Sequence, residues 1–210
     1  MASERTIGRL SLYRRALLRL QVEERRPFVY SHELAGLTAV SAAQVRRDLM
    51  SIGYSGSPNR GYDIGELVRS IAEQLDDPSG QGMAVVGVGN LGRAIINYVS
   101  RQRPRLAVGA AFDKDPDKAG RVIQGCRVYS LERMPDVVRE QRIQVGLISV
   151  PAGAAQDAAD RLVAAGVSGI LNFAPASVHV PAHVFSEDLD LITTLEKVAY
   201  FARVGKGSER

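Results

Sequence analysis

The chain lacks several features that mark common classes of protein. Its single cysteine, Cys126, excludes an intrachain disulfide, which favours a reducing cytoplasm and a thiol that is simply packed in a strand. No apolar run approaches the roughly 18 residues that a membrane span needs. The first twenty residues carry five arginines and no uninterrupted apolar stretch typical of a signal peptide. We therefore expect a cytoplasmic protein without a membrane partner.

Lysine is absent from residues 1–62, which contain ten arginines and five acidic residues. This segment has a net charge of +5, whereas residues 63–210 have a net charge of −1. A guanidinium forks onto phosphate oxygens and guanine edges, so an arginine-rich module joined to a near-neutral one indicates a polyanion partner. On charge alone, a merely solvated basic surface is the alternative.

The basic segment has the pattern of a helix-turn-helix. Apolar residues at helical spacing predict a first helix over residues 7–22, and Ser31 is the expected N-cap of a short second helix. In SAAQVRRDLMSIG, Ser41 and Gln44 predict a capping box, and Gly53 predicts the helix end. Two short helices joined by a tight turn, the second displaying arginines, are typical of DNA readers. The predicted DNA-binding residues of this helix are Ser41, Gln44, Arg46 and Arg47.

The stretch YSGSPNRGYD, which follows, predicts a wing. Gly56, Pro58 and Gly61 mark a turn between two short edges that each carry a tyrosine, which is typical of a β-hairpin. Arg60 lies near the expected tip, where an arginine suits a narrow minor groove. An ordinary solvated loop arginine is the alternative for Arg60.

Strand-like and helical segments alternate after DDPSGQG, which predicts a parallel, doubly wound sheet in an α/β domain. The first turn reads VVGVGNLGRAI, in which Gly87, Gly89 and Gly92 form the G-x-G-x-x-G pattern of a dinucleotide site. Asp113 follows Gly92 by 21 residues, at the end of the next strand. A carboxylate there accepts hydrogen bonds from the ribose and repels a 2′-phosphate, which favours NAD(H) over NADP(H), although Lys114 is adjacent.

The chain supplies no evident catalytic group for this site. His179 and His183 are spaced as a metal pair, but Pro181 argues against a helix there and no third ligand is suitably spaced, so no metal is expected. No Ser-x-x-x-Tyr-x-x-x-Lys pattern follows the sheet. We expect a sensor rather than an enzyme. The alternatives are a small NAD-dependent oxidoreductase with a basic N-terminal module, and a CoA-binding module, which Asp113 disfavours because CoA carries a phosphate on that ribose.

Seven motifs together carry a family resemblance. GRLSLYRRAL, SAAQVRRDL, RGYD, VGVGNLGRAIINY, AAFDKDP, GILNFAP and DLDLITTLEKVAYF follow one another from about residue 5 to residue 203. In this combination the chain resembles the Rex family of bacterial redox-sensing transcriptional repressors. The resemblance implies a winged-helix DNA-binding domain over residues 1–78, a Rossmann-like NAD(H)-binding domain over 79–188, and a C-terminal dimerisation helix and tail over 189–210, swapped onto the partner of a homodimer.

The resemblance also implies a function: binding to palindromic double-stranded operator DNA, opposed by NADH and favoured by NAD+, both as regulatory ligands. Arg15 and Asp190 would form an ion pair that changes with the ligand. The residues expected to bind the nucleotide are Gly87, Val88, Gly89, Asn90, Leu91, Gly92, Tyr98, Asp113, Lys114, Val150, Pro151, Asn172, Phe173 and Pro175.

Two positions depart from the family pattern. The wing reads GSPNRGY where the family usually reads close to GKRGxGY, so one basic residue stands where two are common. Leu191 follows Asp190 where some members carry an aromatic residue. Leu191, Leu195, Val198 and Ala202 make an apolar stripe on the terminal helix, which must be buried against a partner or, alternatively, against its own domain.

Overall fold

The structure, a computed structural model, describes residues 3–57, 59–102 and 106–205. Pro58 of the predicted wing and residues 206–210 of the predicted C-terminal tail lie outside them. The chain divides into two compact units, with the division between Pro78 and Ser79. In the part that the structure describes, no helix is long and apolar enough to cross a bilayer. The predicted α/β class, with an N-terminal winged helix-turn-helix, is confirmed.

The first unit is a small helical domain with a two-stranded sheet. Its elements are α1 (Glu4–Glu23), β1 (Phe28–Val29), α2 (Ser31–Thr38), α3 (Ala42–Ser51), β2 (Tyr62–Asp63) and α4 (Ile64–Leu75). Every helix contributes leucine or another large apolar residue to one core, in which Tyr13, Leu17, Val45, Leu49 and Leu67 are fully buried. Val45 and Leu49 are thus the inward positions of α3.

The predicted helix caps are partly correct. The Ser41 hydroxyl accepts from the Gln44 N–H at 3.2 Å and Gly53 follows α3 with φ +76°, as expected. The Gln44 side chain does not return to Ser41, so the reciprocal half of the capping box is wrong. Ser31 as N-cap is also wrong: the cap is Tyr30, whose N–H donates to the Glu33 carboxylate at 2.7 Å because glutamate at this position reaches back over the first turn.

The wing is built differently from the predicted hairpin. β2 pairs antiparallel with β1, not with the edge that carries Tyr54, and one bridge between Ser57 and Gly61 closes the turn. The predicted antiparallel turn is present, but the strand partner β1 was missed because it lies over thirty residues away in sequence, beyond the reach of turn signals. Arg60 lies exposed in the turn, as predicted.

Gly61→Ala is expected to destabilise the wing. Gly61 has φ +77°, and an added Cβ would lie 2.5 Å from the Val29 carbonyl oxygen, where the chain crosses β1. Strain and overpacking together should lower the free energy of unfolding of the first unit by about 2–4 kcal/mol. The measurement is urea denaturation of the full chain, with unfolding monitored by circular dichroism. Gly53→Ala is the control: at φ +76° with no atom within 4 Å, it should cost about 1 kcal/mol. Equal losses for the two variants would contradict the close approach.

The second unit is a seven-stranded sheet with helices on both faces. Its strands are β3 (Gln81–Val86), β4 (Leu106–Asp113), β5 (Val122–Ile123), β6 (Cys126–Ser130), β7 (Ile143–Ile148), β8 (Gly169–Asn172) and β9 (Phe185–Asp188). Its α-helices are α5 (Asn90–Gln102), α6 (Met134–Glu140), α7 (Ala155–Ala164) and α8 (Leu191–Gly205). The strand order is β5-β6-β4-β3-β7-β8-β9, parallel throughout except for β5. Since the chain crosses to opposite sides of β3, the crevice beside its carboxyl end is the expected ligand position.

The two faces of the sheet carry separate cores, because successive strand residues point to opposite sides. Val86, Phe112 and Ile148 pack with α6 and α7, whereas Val85 and Leu147 pack with α5. Cys126 belongs to the α5 side and is buried, which raises the pKa of its thiol to about 11. Its predicted role as a packed residue is confirmed.

The last helix, α8, has no cover within its own unit. Every side chain described from Leu191 to Val204 is exposed, including the predicted stripe. The alternative of packing against its own domain is therefore wrong. Ile192, Tyr200 and Phe201 add large exposed apolar groups outside that stripe. A helix that is apolar on several faces belongs inside a protein interior or an interface.

Candidate nucleotide site and nucleic-acid interface

The glycine loop joins β3 to α5 at the carboxyl edge of the sheet. Gly87 has φ +94°, and its N–H donates to the Phe112 carbonyl at 2.8 Å. A Cβ on Gly92 would collide with the Gly87 carbonyl oxygen, so this position admits glycine alone. Gly89 differs from both, because no atom lies within 4 Å of its added Cβ. Two glycines thus shape the loop, and the third leaves space open.

Asp113 at the end of β4 fastens this loop. One carboxylate oxygen accepts from the Val88 N–H at 2.8 Å and from the Lys118 ammonium at 2.9 Å, and the other accepts from the Asp115 N–H at 3.0 Å. Burial alone would raise the pKa of Asp113, but the hydrogen bonds from Asp115, Lys118 and Val88 outweigh it and lower that pKa. The carboxylate is therefore ionised at neutral pH and holds the loop against β4.

A cavity of about 240 Å³ lies beside the loop, on the α7 side of the sheet. Its lining is Val86, Gly87, Gly89, Asp113, Lys114, Lys118, Leu131, Ser149, Val150, Pro151, Ala154, Asp157 and Ala158. Six residues of the predicted nucleotide set thus meet here: Gly87, Gly89, Asp113, Lys114, Val150 and Pro151. The sequence reasoning missed the others. The available signal for Ser149 and Leu131 was their position just after β7 and β6, since carboxyl ends of parallel strands share one edge.

The remaining predicted nucleotide residues do not line this cavity. Tyr98, which is 67% exposed, and Phe173 line a separate apolar depression of about 900 Å³ on the α5 side. Asn172 is buried, and its amide donates to the Ala176 carbonyl at 2.7 Å and to Asp188 at 2.9 Å. The sheet therefore separates these residues from the cavity, and their part in binding the nucleotide stays a prediction. Val88 and Gly92 are buried within the loop, whereas Asn90, Leu91 and Pro175 are exposed.

The exposed face of α3 carries the predicted DNA-binding arginines. Arg46 donates to the Ser31 hydroxyl at 2.9 Å, and Arg47 donates to the Gln44 side-chain oxygen at 2.7 Å. Both guanidinium groups are exposed. The face is thus a hydrogen-bonded, positively charged surface of the size that enters a major groove.

The predicted switch residues lie in different units. Arg15 is exposed on α1 of the first unit. Asp190 precedes α8 in the second unit and caps it, accepting from the Ile192 N–H at 2.9 Å and the Thr193 N–H at 3.0 Å. Hydrogen bonds from Thr193 lower the pKa of Asp190. The ion pair between Arg15 and Asp190 stays a prediction.

No group of three or more His, Cys, Asp or Glu side chains placed to hold a metal ion occurs among the residues described. The His179 N–H donates to the Gln156 side-chain oxygen at 2.9 Å, which ties its loop to α7.

Two family models match the chain. Residues 80–176 match the model described as "CoA binding domain", and residues 2–49 match "Putative DNA-binding protein N-terminus". The matches fall on the glycine-loop unit and on the unit that contains α3.

Several relatives are similar over nearly the full length. The "Redox-sensing transcriptional repressor Rex" of Streptomyces coelicolor is 38% identical over 206 residues, covering 98% of this chain and 80% of the relative. The Rex of Lactobacillus acidophilus is 37% identical over 196 residues, covering 93% and 92%. Among solved structures, RSP, a Rex-family repressor, is 32% identical. Its complex with β-NAD+ and operator DNA aligns with a TM-score of 0.88, covering 98% of this chain and 94% of that chain. Its complex with β-NADH aligns with a TM-score of 0.84.

Proposed function

This chain belongs to the Rex family of redox-sensing transcriptional repressors, and we propose that it represses transcription by binding operator DNA until NADH releases it. The observation that carries the proposal is the presence, in one chain, of an arginine-bearing helix α3 and a glycine loop fastened by Asp113. The relative RSP has been crystallised with β-NAD+ and operator DNA, and with β-NADH. These are the ligands that α3 and the glycine loop suit.

The nucleotide is proposed to bind with its pyrophosphate at the glycine loop and the N-terminus of α5, where N–H groups and the helix dipole favour an anion. Asp113 would orient the adenosine ribose and disfavour a 2′-phosphate, which makes NAD(H) the proposed pair. Lys118 donates to one oxygen of this carboxylate at 2.9 Å, so the ribose is proposed to share Asp113 with its ammonium. The proposed nicotinamide region contains the other predicted residues, including Tyr98, Asn172 and Phe173. The proposed switch is the ion pair between Arg15 and Asp190.

The DNA-binding residues are proposed to be Arg46 and Arg47 in the major groove and Arg60 in the minor groove, with Ser41 and Gln44 at the start of α3. The proposed organisation is a DNA-binding domain over residues 1–78, an NAD(H)-binding domain over 79–188 and a dimerisation segment over 189–210. Two copies of α3 then meet two half-sites of a palindrome. A complex with DNA and a single unpaired cysteine favour the cytoplasm as the place of action.

Release by NADH is a linkage effect. The protein is proposed to have one arrangement that binds DNA and one that does not. NADH must have the higher affinity for the arrangement that does not bind DNA. NAD+ must either distinguish less between the two arrangements or prefer the one that binds DNA. Because two recognition helices need a fixed separation, a rigid-body rotation of the DNA-binding units is enough to lose the operator. No chemical step on the nicotinamide is required. That distinguishes this proposal from an oxidoreductase with a basic N-terminal module.

The test is fluorescence anisotropy of a labelled palindromic duplex, chosen by selection from a random pool with the full chain. Titration with NADH is expected to release the duplex, and added NAD+ is expected to shift that titration to higher NADH. NADPH and CoA serve as matched competitors, because each carries a phosphate on the ribose that Asp113 is proposed to hold. Release by CoA and not by NADH would instead support a CoA-responsive regulator, and catalytic turnover of NADH would support an enzyme.

A further inference from the structure

One carboxylate on the recognition helix is buried beneath its DNA-facing surface. Asp48 of α3 is only 3% exposed, whereas Arg46 and Arg47 beside it face outward. Arg9 of α1 holds it with two charge-assisted hydrogen bonds of 2.6 and 2.7 Å, and the Tyr13 hydroxyl donates a third at 2.8 Å. These three bonds fix α3 against α1.

A fourth bond extends the cluster to the DNA-facing surface. The Gln44 amide nitrogen donates to Asp48 at 2.8 Å, and the Gln44 oxygen accepts from Arg47 at 2.7 Å. A carboxylate only accepts hydrogen bonds, so Asp48 determines which end of the amide faces it. The oxygen of Gln44 must then point toward Arg47. Each end of the amide thus makes one hydrogen bond within the protein, which fixes the orientation of the amide plane.

This arrangement changes the role expected of Gln44. A glutamine that reads adenine offers its nitrogen and oxygen together to one base edge. The bonds to Asp48 and Arg47 fix the plane of the Gln44 amide, so only its second N–H and its second oxygen lone pair remain for a base edge. Arg47 keeps its remaining N–H donors and can present them to a guanine.

We infer that Asp48 is a positioning residue for DNA readout, which acts through Gln44 to hold the Arg47 guanidinium at the exposed face of α3. Gln44 is then a relay and not a reader of its own base. The inference rests on the proposed function, since it needs an operator to be read. Buried ionic clusters contribute little net stability compared with apolar packing, whereas they define one geometry well.

The charge state of Asp48 supports this geometry. Burial alone would raise the pKa of Asp48, but the bonds from Arg9, Gln44 and Tyr13 together lower it. Asp48 is therefore an acceptor at neutral pH, as the orientation of Gln44 requires.

The experiment maps which base pair each variant stops reading. The full chain first selects its operator from a random palindromic pool, and dissociation constants are then measured for every single-base substitution in one half-site. Arg47→Met, Gln44→Met and Asp48→Ala are compared with the wild type. All three are expected to lose about tenfold discrimination at the same base pair, as for one lost bidentate contact. Gln44→Met removes both bonds at a half-exposed position, so it tests the relay even if Asp48→Ala unfolds.

Tyr13→Phe is the matched control, because it removes one bond to Asp48 and leaves the bonds of Gln44 in place. Its discrimination profile is expected to match that of the wild type. Loss of discrimination by Gln44→Met at a base pair different from that of Arg47→Met would overturn the inference. Uniform weakening on all duplexes by Asp48→Ala and Gln44→Met would also overturn it, as expected of a purely structural cluster. Failure of the wild type to select any duplex would instead remove the proposed function itself, and the inference with it.

Discussion

Replacing Gly89 with alanine is expected to give a repressor that binds its operator and that NADH no longer releases. The added methyl group meets no protein atom within 4 Å, and Gly89 is not in the left-handed region, so the free protein should fold unchanged. The same methyl group would occupy the space at the loop where the pyrophosphate is proposed to bind. Overpacking of about 1–3 kcal/mol corresponds to about 5- to 150-fold weaker NADH binding.

The measurement is calorimetric titration with NADH, together with operator anisotropy and a thermal unfolding curve. Gly153→Ala is the matched control, because its added Cβ also has no neighbour within 4 Å, and Gly153 is not in the cavity lining. Gly92→Ala should behave differently from both. Its Cβ collides with the Gly87 carbonyl, so the thermal midpoint itself should fall. Wild-type affinity for NADH in the Gly89 variant would mean that the pyrophosphate lies elsewhere.

Leu195→Glu is expected to abolish both dimerisation and tight operator binding. Leu195 is 63% exposed in the N-terminal half of α8, where the proposed homodimer would bury it. A carboxylate in that interface would be desolvated without a partner. A single subunit contacts only one half-site of the operator. Loss of the contacts to the second half-site should therefore weaken operator binding by about 100-fold or more.

Analytical ultracentrifugation and operator anisotropy on the same samples check this result. Lys197→Glu on the same helix is the control, because it places the same side chain at a position that is already charged. That variant should remain dimeric at concentrations where Leu195→Glu is a monomer. A dimeric Leu195→Glu with wild-type operator binding would show that the apolar surface of α8 serves some other contact.

Local sequence patterns were sufficient for the features that depend on neighbouring residues. Helical periodicity located α1 and α3, and the run of glycines located the turn between β3 and α5. The position of Asp113 at a strand end followed from alternating strands and helices. The Rex resemblance followed from motif order and is confirmed by relatives that are 37–38% identical.

Features that depend on residues far apart in sequence were predicted poorly. The strand that pairs with β2 is β1, and two helices, α2 and α3, lie between these strands in the sequence. No turn signal encodes that pairing. The separation of Tyr98 and Phe173 from the cavity beside the glycine loop also depends on the sheet between them, because alternate strand residues point to opposite sides.

The sequence by itself therefore determined the fold class, the family, the glycine loop and the arginines of α3, since each depends on local spacing or composition. Only the tertiary structure decided which polar groups satisfy one another. Asp113 accepts hydrogen bonds from Val88 and Lys118. Asp48 accepts hydrogen bonds from Arg9, Tyr13 and Gln44. The physical reason is that a buried carboxylate must find donors wherever the packed elements bring them, and the elements that supply them are separated by long stretches of chain.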